Sequence, residues 1–366
     1  MTMTWDSAID FGIILTKILA VVGISQGTVA YLILVERKIA AWAQDRLGPN
    51  RVGPFGLIQP LVDGAKMLLK EDVTPGYVAK PVYILAPAIA IIAAMIGFAV
   101  VPFGPVGASA PSLFGHRIDF QIAPYVDIGI LYILSIGSLG VYGVILAGWA
   151  SNSKYSFLGG LRSSAQLISY EIPLGMSILG IVLITGTVDL NAIVEWQDRH
   201  VWGCFAQPLG FLIFLVSGFA ETNRLPFDLP EAEQELVGGF HTEYSAMKFG
   251  MFFLGEYLHI ITVSFLTVIL FFGGWDLPFV LDANQTGWLA GLGGWPGALL
   301  KVAVVSGKVG AMIVFIMWIR WTLPRFRYDT LMDLAWKRMI PLALINLAVT
   351  ASLLYWFRDV MNYRWY

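Results

Sequence analysis

Apolar residues in this chain fall into long, nearly unbroken runs separated by polar stretches, the pattern of helices that cross a bilayer. A crossing helix needs roughly 17–25 such residues, and runs of this kind lie near 11–35, 82–101, 127–149, 166–185, 204–220, 249–273, 302–322 and 341–357. The fifth and eighth are short, and Pro208 blurs the start of the fifth, so a re-entrant fifth run would leave seven crossings. The expected fold is an all-α polytopic membrane protein of about eight transmembrane helices, a single integral membrane domain over 1–366. No internal repeat is visible, so an inverted-repeat transporter architecture is not expected. Asp6 and Asp10 stand where a signal peptide would be basic, so the first run reads as a retained span.

Lysine and arginine set the orientation. Arg37, Lys38, Arg46, Arg51, Lys66, Lys70 and Lys80 follow the first run, Lys154 and Arg162 the third, Arg224 and Lys248 the fifth. Arg320, Arg325, Arg327, Lys337 and Arg338 follow the seventh. The opposite side has Arg117, Arg199, Lys301, Arg358 and Arg364. The richer side is cytoplasmic, which places both termini outside. The outer loops, with their Gly, Pro and Trp, suggest only solvated turns and an interfacial aromatic belt.

The first cytoplasmic loop, 36–81, is far longer than an ordinary helix connection. Its RLGPNRVGPFG stretch predicts a fixed, turn-rich path. In the next stretch Ile58, Leu61, Val62, Ala65, Leu68 and Leu69 recur at helical spacing, while Asp63, Lys66 and Lys70 face elsewhere. This predicts a short amphipathic interfacial helix, either a surface anchor or a doorway for a lipid-soluble substrate.

The stretch 221–244, ETNRLPFDLPEAEQELVGGFHTEY, departs most from a plain hairpin. It carries Glu221, Asp228, Glu231, Glu233, Glu235 and Glu243 against Arg224. Pro226 and Pro230 forbid a long helix. Irregular backbone at membrane depth must be buried in protein or line a wet cavity, so these carboxylates are expected to line such a cavity and handle protons. Glu171 and Glu256 lie inside apolar runs, where a charge costs roughly 2.5–3.5 kcal/mol even on lenient scales. Each is either a proton carrier or a neutral group bonded to backbone, Tyr170 or Tyr257. Lys17 is expected to snorkel outward and Lys308 to pair with a carboxylate. Packed in one bundle, Glu36, Glu171, Glu221, Glu233, Glu235 and Glu256 would form a chain of carboxyls from the cytoplasmic loops toward mid-membrane.

Composition excludes more than it adds. The chain is 57% hydrophobic with net charge -2 and mean hydropathy +0.71, which fits neither a soluble domain nor a nucleic-acid binder. Cys204 stands alone, excluding an internal disulfide and any cysteine-ligated cluster held by this chain alone. His116, His200, His241 and His259 have no metal-ligand spacing, and there is no glycine-rich nucleotide motif.

Three stretches carry a resemblance: VERKIAAWAQDRLGPNRVGPFGLIQPLVDGAKMLLKED, GWASNSKYSFLGGLRSSAQLISYEIPLG and ETNRLPFDLPEAEQELVGGFHTEYS. They resemble the family of H-type membrane subunits of proton-translocating NADH–quinone oxidoreductase, respiratory complex I, and the resemblance runs through nearly the whole chain. It implies that hydrophilic partners on the cytoplasmic side carry flavin and iron–sulfur clusters, and that this chain binds no cofactor of its own. It also implies small and antiporter-like membrane partners, a bacterial inner membrane, and a substrate quinone. No complete active site would belong to this chain alone. Carried over by position, Arg37, Arg46, Asp63, Lys66, Arg224, Glu233 and Glu235 would line the quinone site. Glu36, Glu171, Glu221 and Glu256 would belong to a proton path.

Two other readings fit the residues. An ion-coupled secondary transporter would use Glu171 and Glu256 to bind a cation or proton. A membrane anchor for a hydrogenase-type redox complex would use the acidic stretch only to dock a soluble partner.

Overall fold

The computed structural model describes residues 5–107, 110–113, 115–124, 126–229, 236–277 and 294–356. The helices that matter for the site are α1 (Trp5–Ala43), α2 (Gln59–Leu69), α3 (Lys80–Ile96), α4 (Gly129–Ala150), α5 (Lys154–Thr185), α6 (Leu190–Arg199), α7 (Gly203–Ala206), α8 (Pro208–Glu221), α9 (Ala246–Phe271) and α10 (Gly294–Thr322). The last, α11, spans Tyr328–Tyr355. The one described sheet pairs β1 (Ser112–Leu113) with β2 (His116–Arg117), antiparallel.

Among the described residues, seven helices are long and apolar enough to cross a membrane. The predicted fifth run is different: α8 has 14 residues, about 21 Å of rise at 1.5 Å per residue, short of the ~30 Å hydrocarbon core. Pro208 starts it, and Gln207 breaks it from α7. Buried glutamines bridge this region: Gln207 ties the break to α11 through side chains, and Gln197 takes up backbone groups around α7. Gln207 Nε2 donates to Thr350 Oγ1 at 2.6 Å, and Asn346 Nδ2 donates to Gln207 Oε1 at 2.9 Å. Gln197 Oε1 accepts from the Gly203 and Gly273 amides, and its Nε2 donates to the Ile269 carbonyl.

Two helix limits differ from expectation. α1 continues to Ala43, so Glu36 and Arg37 sit on a helix and the first loop begins later. α5 begins at Lys154 instead of 166. Its polar first turns are held by close backbone packing: a methyl on Gly159 would lie 2.7 Å from the Gly239 backbone. Small residues permit such approach between helices in a membrane.

α9 is the axis of the bundle. Of its most apolar window 78% is buried, against 22% for α1. Phe271 near its C-terminal end packs on Phe214 of α8, and its C-terminal half shares one core cluster with Tyr170, Leu174 and Ile178 of α5. α2 is amphipathic as expected, and none of its residues is buried; Leu61 and Leu68 are 70% and 71% exposed. The turn before it needs glycine: Gly56 has φ 79°, and a Cβ there would lie 2.3 Å from the Pro49 carbonyl oxygen.

Lys17 Nζ reaches the Gln121 carbonyl at 3.4 Å. Lys308 Nζ lies in a carbonyl cage at the end of α9, 2.6 Å from Phe272 O and 3.0 Å from Gly274 O, and also donates to Asp276 O. Asp276, which Trp202 Nε1 contacts at 3.2 Å, is a buried carboxyl beside Asp198 and Lys308. Burial, with the nearby Asp198, pushes it up to about 6.

Gln207→Leu removes the acceptor for Asn346, and an orphaned buried donor costs about 1–3 kcal/mol; the thermal midpoint of the detergent-solubilised protein should fall, and an unchanged midpoint would remove the bridging role. For Asp276 the folded protein keeps its proton longer than the unfolded chain does. That contribution to stability is complete below the free value of 3.8 and lost as pH rises through about 6. Asp276→Asn should therefore flatten the decline of the midpoint between these limits.

Candidate functional site

The irregular backbone expected after α8 is present. From Thr222 to Leu229 nearly every residue is buried, and it includes a cis Leu225–Pro226 bond. Its polar backbone is served largely from α5: Gln166 Nε2 donates to the carbonyls of Ala220 at 2.8 Å and Phe227 at 2.7 Å. Phe326 N donates to the Pro226 carbonyl. Gln166 thus fixes the segment that carries Arg224. Its signal in the sequence is an amide in an apolar run.

Arg224 is 5% exposed and stands between two acids from different helices. Its Nη1 is 3.3 Å from Glu36 Oε1 on α1, and its Nη2 is 3.8 Å from Glu256 Oε2 on α9. Its guanidinium carbon sits 4.3 Å from the centre of the Tyr257 ring, a cation–π contact. Tyr257 Oη donates a short hydrogen bond to Glu36, and Arg320 of α10 forms an ion pair with the same carboxylate. Four elements therefore meet at Glu36.

Two spaces flank this cluster. The larger, about 730 Å³, lies between α1, α2, α9 and α10, within the range of small-molecule pockets. Glu36, Arg37, Arg46, Asp63, Tyr257 and Arg320 give it polar groups, and Ile33, Leu34, Met67, Phe249, Phe253 and Leu254 give it apolar walls. Arg37 Nη1 lies 2.8 Å from Asp63 Oδ2, and Gln59 Nε2 donates to Asp63 Oδ1, tying α1 to α2. The arrangement suits an amphipathic molecule with one polar end. The smaller space, about 60 Å³, is lined by Glu171, Glu221, Glu256, His259, Ser138 and Asn223, among others. Ser138 Oγ donates a short hydrogen bond to Glu171. Neither Tyr170, which donates to Leu331 O, nor Tyr257 is the partner of Glu171. Among the described residues no group of three or more His, Cys, Asp and Glu is placed to hold a metal ion.

The predicted residues sort plainly. Glu36, Arg37, Arg46 and Asp63 share the large cavity, Glu171, Glu221 and Glu256 share the small one, and Arg224 bridges Glu36 to Glu256. Lys66 is exposed on α2 and does not line the cavity. Glu233 and Glu235, with Glu231, lie outside the described residues. The expectation that the acids of 221–244 line one cavity fails for two of them. Asp228 is 3.0 Å from Arg325. Glu243 accepts from Tyr77 Oη at 2.6 Å, and this bond pushes the Tyr77 phenol up. Sequence reasoning misses Tyr257, Arg320, Gln166, Ser138 and His259 as site residues. Charge counting puts Arg320 in a loop, and Tyr257 enters only as a partner for its neighbour.

Removing Arg224 takes the guanidinium from Glu256 and leaves Glu36 with Arg320 alone, and breaking a buried pair typically costs about 3–5 kcal/mol. Arg224→Met should lower the thermal midpoint sharply, and adding Glu256→Gln should recover part of the loss. Strictly additive losses in that double-mutant cycle would show that the two side chains are not coupled.

Comparison with known proteins covers nearly the whole chain. The family model described as NADH dehydrogenase matches residues 16–351. The H subunit of NADH-quinone oxidoreductase from Leptospira biflexa is 48% identical over 361 residues, covering 97% of this chain and 98% of that protein. An H subunit of NADH-quinone oxidoreductase from Geobacter metallireducens is 48% identical over 348 residues, covering 95% and 98%. Its namesake in Cytophaga hutchinsonii is 45% identical over 337 residues, covering 91% and 94%.

Proposed function

The chain belongs to the NADH dehydrogenase family, as a membrane subunit of an oxidoreductase complex, and from that premise we propose that its large cavity is the membrane-side part of a quinone chamber and that the Glu36–Arg224–Glu256 cluster starts a proton path. The observation that carries this reading is Arg224, which touches an acid of the large cavity on one side and an acid of the small cavity on the other.

The apolar walls take the isoprenoid part of the quinone, and the polar end takes the headgroup. Partner subunits of the complex, carrying flavin and iron–sulfur clusters, supply electrons from NADH. Reducing one quinone to quinol consumes two electrons and two protons. Negative charge arriving at the headgroup competes with Asp63 for Arg37 and with Glu36 for Arg320, which changes the share of Arg224 that Glu36 takes. At about 4 Å and an effective dielectric of 20, one such pair is worth about 4 kcal/mol, enough to redistribute ion pairs in a cluster this tight. Arg224 then moves its balance between Glu36 and Glu256, and the change in charge reaches the protonation of Glu221 and Glu171. The exposed apolar face of α2 lies at the membrane interface as the doorway. Glu233 and Glu235, on the stretch that follows Arg224, join the chamber on the family resemblance alone. The cytoplasmic side faces the hydrophilic subunits, small and antiporter-like membrane subunits flank the chain, and both termini face the periplasm of a bacterial inner membrane, with α7 and α8 together completing an eighth crossing broken at Gln207.

A photoreactive quinone bound to the assembled complex should label residues 55–70. Glu36→Gln should slow NADH-driven quinone reduction roughly tenfold or more, as the loss of a preorganised charge at a reacting centre does. Reduction of ferricyanide by the hydrophilic partners should stay unchanged. Label confined to other subunits, with wild-type quinone reduction in the variant, would overturn the reading.

A further inference from the structure

His259 is the one ionisable group lining the small cavity that the mechanism above leaves unused. It lies on α9 three residues after Glu256, on the same face of the helix. It lines the small cavity with Glu171, Glu221 and Glu256, and it also lines a second space of about 20 Å³ with Glu221, Thr262, Ala93, Gly97 and Gly137. The two spaces meet at His259 and Glu221. At roughly 10–15 Å³ per water, the first has room for a short run of waters and the second for about one.

α4 supplies the room. A methyl on Gly137 would lie 3.8 Å from Glu221 Oε1, and one on Gly140 would lie 3.4 Å from His259 Nε2. These glycines are three residues apart, about 4.5 Å along the helix. The carboxyl and the imidazole therefore sit over neighbouring turns of α4 and face the same two spaces. Among the described residues the imidazole forms no hydrogen bond or ion pair, so its nitrogens are left to the cavities they face.

We propose that His259 is a proton carrier of this chain, taking the proton line beyond Glu221 into the second space between α3, α4 and α9. The inference rests on the proton-path reading above. In the step, the O–H bond of a protonated Glu221 breaks and an N–H bond forms at one ring nitrogen, directly or through a water. This leaves a carboxylate and an imidazolium. The other ring nitrogen then gives up its proton to water in the second space, and the imidazole returns to neutral in its other tautomer. No electrons move. Glu171 and Glu256 face the same space, so their charge sets how readily the imidazolium forms.

The test uses the assembled complex in proteoliposomes, with NADH-driven quinone reduction and proton uptake measured across pH. His259→Gln keeps much of the side chain's size but cannot carry an added proton. It should slow coupled turnover on the order of tenfold with ferricyanide reduction and assembly unchanged. His259→Glu, which can carry a proton, should restore a large share and shift the pH profile. Wild-type turnover and pumping in His259→Gln would overturn the proposal, and so would equal loss in the Gln and Glu variants, which marks a packing role. Glu221→Gln separates the two readings: impaired Glu221→Gln beside an unimpaired His259→Gln sinks only this inference, whereas wild-type behaviour in both sinks the proton path as well.

Discussion

Everything at the centre of this bundle depends on Arg224 serving two acids at once. Glu36 and Glu256 are brought out of water by helices that pack from opposite sides, and neither could stay charged there without a cation. Arginine suits the task because its guanidinium forks, stays charged and is weakly hydrated. It can reach both acids only because the chain leaves the helix after Glu221 and runs as buried irregular backbone. That backbone in turn stands because Gln166 takes up its carbonyls. A plain helical hairpin would satisfy its own backbone and would have no need of Gln166. It would also carry Arg224 away from one of the two acids.

The same constraint explains why the polar interior is divided in two. A single large wet cavity would hydrate the acids and weaken every interaction among them, since Coulomb terms shrink as the local dielectric rises. Here Tyr257 and Arg224 stand between the 730 Å³ space and the 60 Å³ space. The first is wide enough for a small molecule. The second is too small for anything but water and has been opened by glycine: Gly137 and Gly140 give up side-chain volume where Glu221 and His259 need it. Hydrophobic residues at those two positions would fill the space, at the cost of the polar line.

How much of this could be read from the residues depended on whether a signal was local. Span positions were legible because apolar length is local. The irregular segment was legible because Pro226 and Pro230 forbid a helix whatever surrounds them. Charge misled twice. Glu36-Arg37-Lys38 looked like the start of a loop, yet α1 continues through it, because Glu36 is neutralised by Arg224 and Arg320 from distant parts of the chain. The polar opening of α5 looked like a loop for a similar reason, since its glycines pack against backbone, which hydropathy does not register. Partners were the least legible. Asp228 meets Arg325 across 97 residues and Glu243 meets Tyr77 across 166, and no spacing rule spans such distances. The prolines and acids therefore announced burial over 222–229 but said nothing about which acids would share a cavity.

Those diverging acids show how one stretch of chain can do structural and chemical work together. Asp228 accepts a hydrogen bond from Arg325, which anchors the segment to the chain beyond α10. Glu243 is tied to the loop after α2 through Tyr77, and the Tyr83 hydroxyl holds its carbonyl. Glu221, at the head of the stretch, is given a cavity with other acids lining it. A carboxyl with its own guanidinium has little reason to change protonation. Glu221 instead shares a small space with Glu171, Glu256 and an imidazole, where its proton affinity depends on the charges around it. The fold thus sorts the acids by what it places opposite them. Anchors hold the irregular backbone where Arg224 meets both Glu36 and Glu256, and Glu221 is left facing the small cavity.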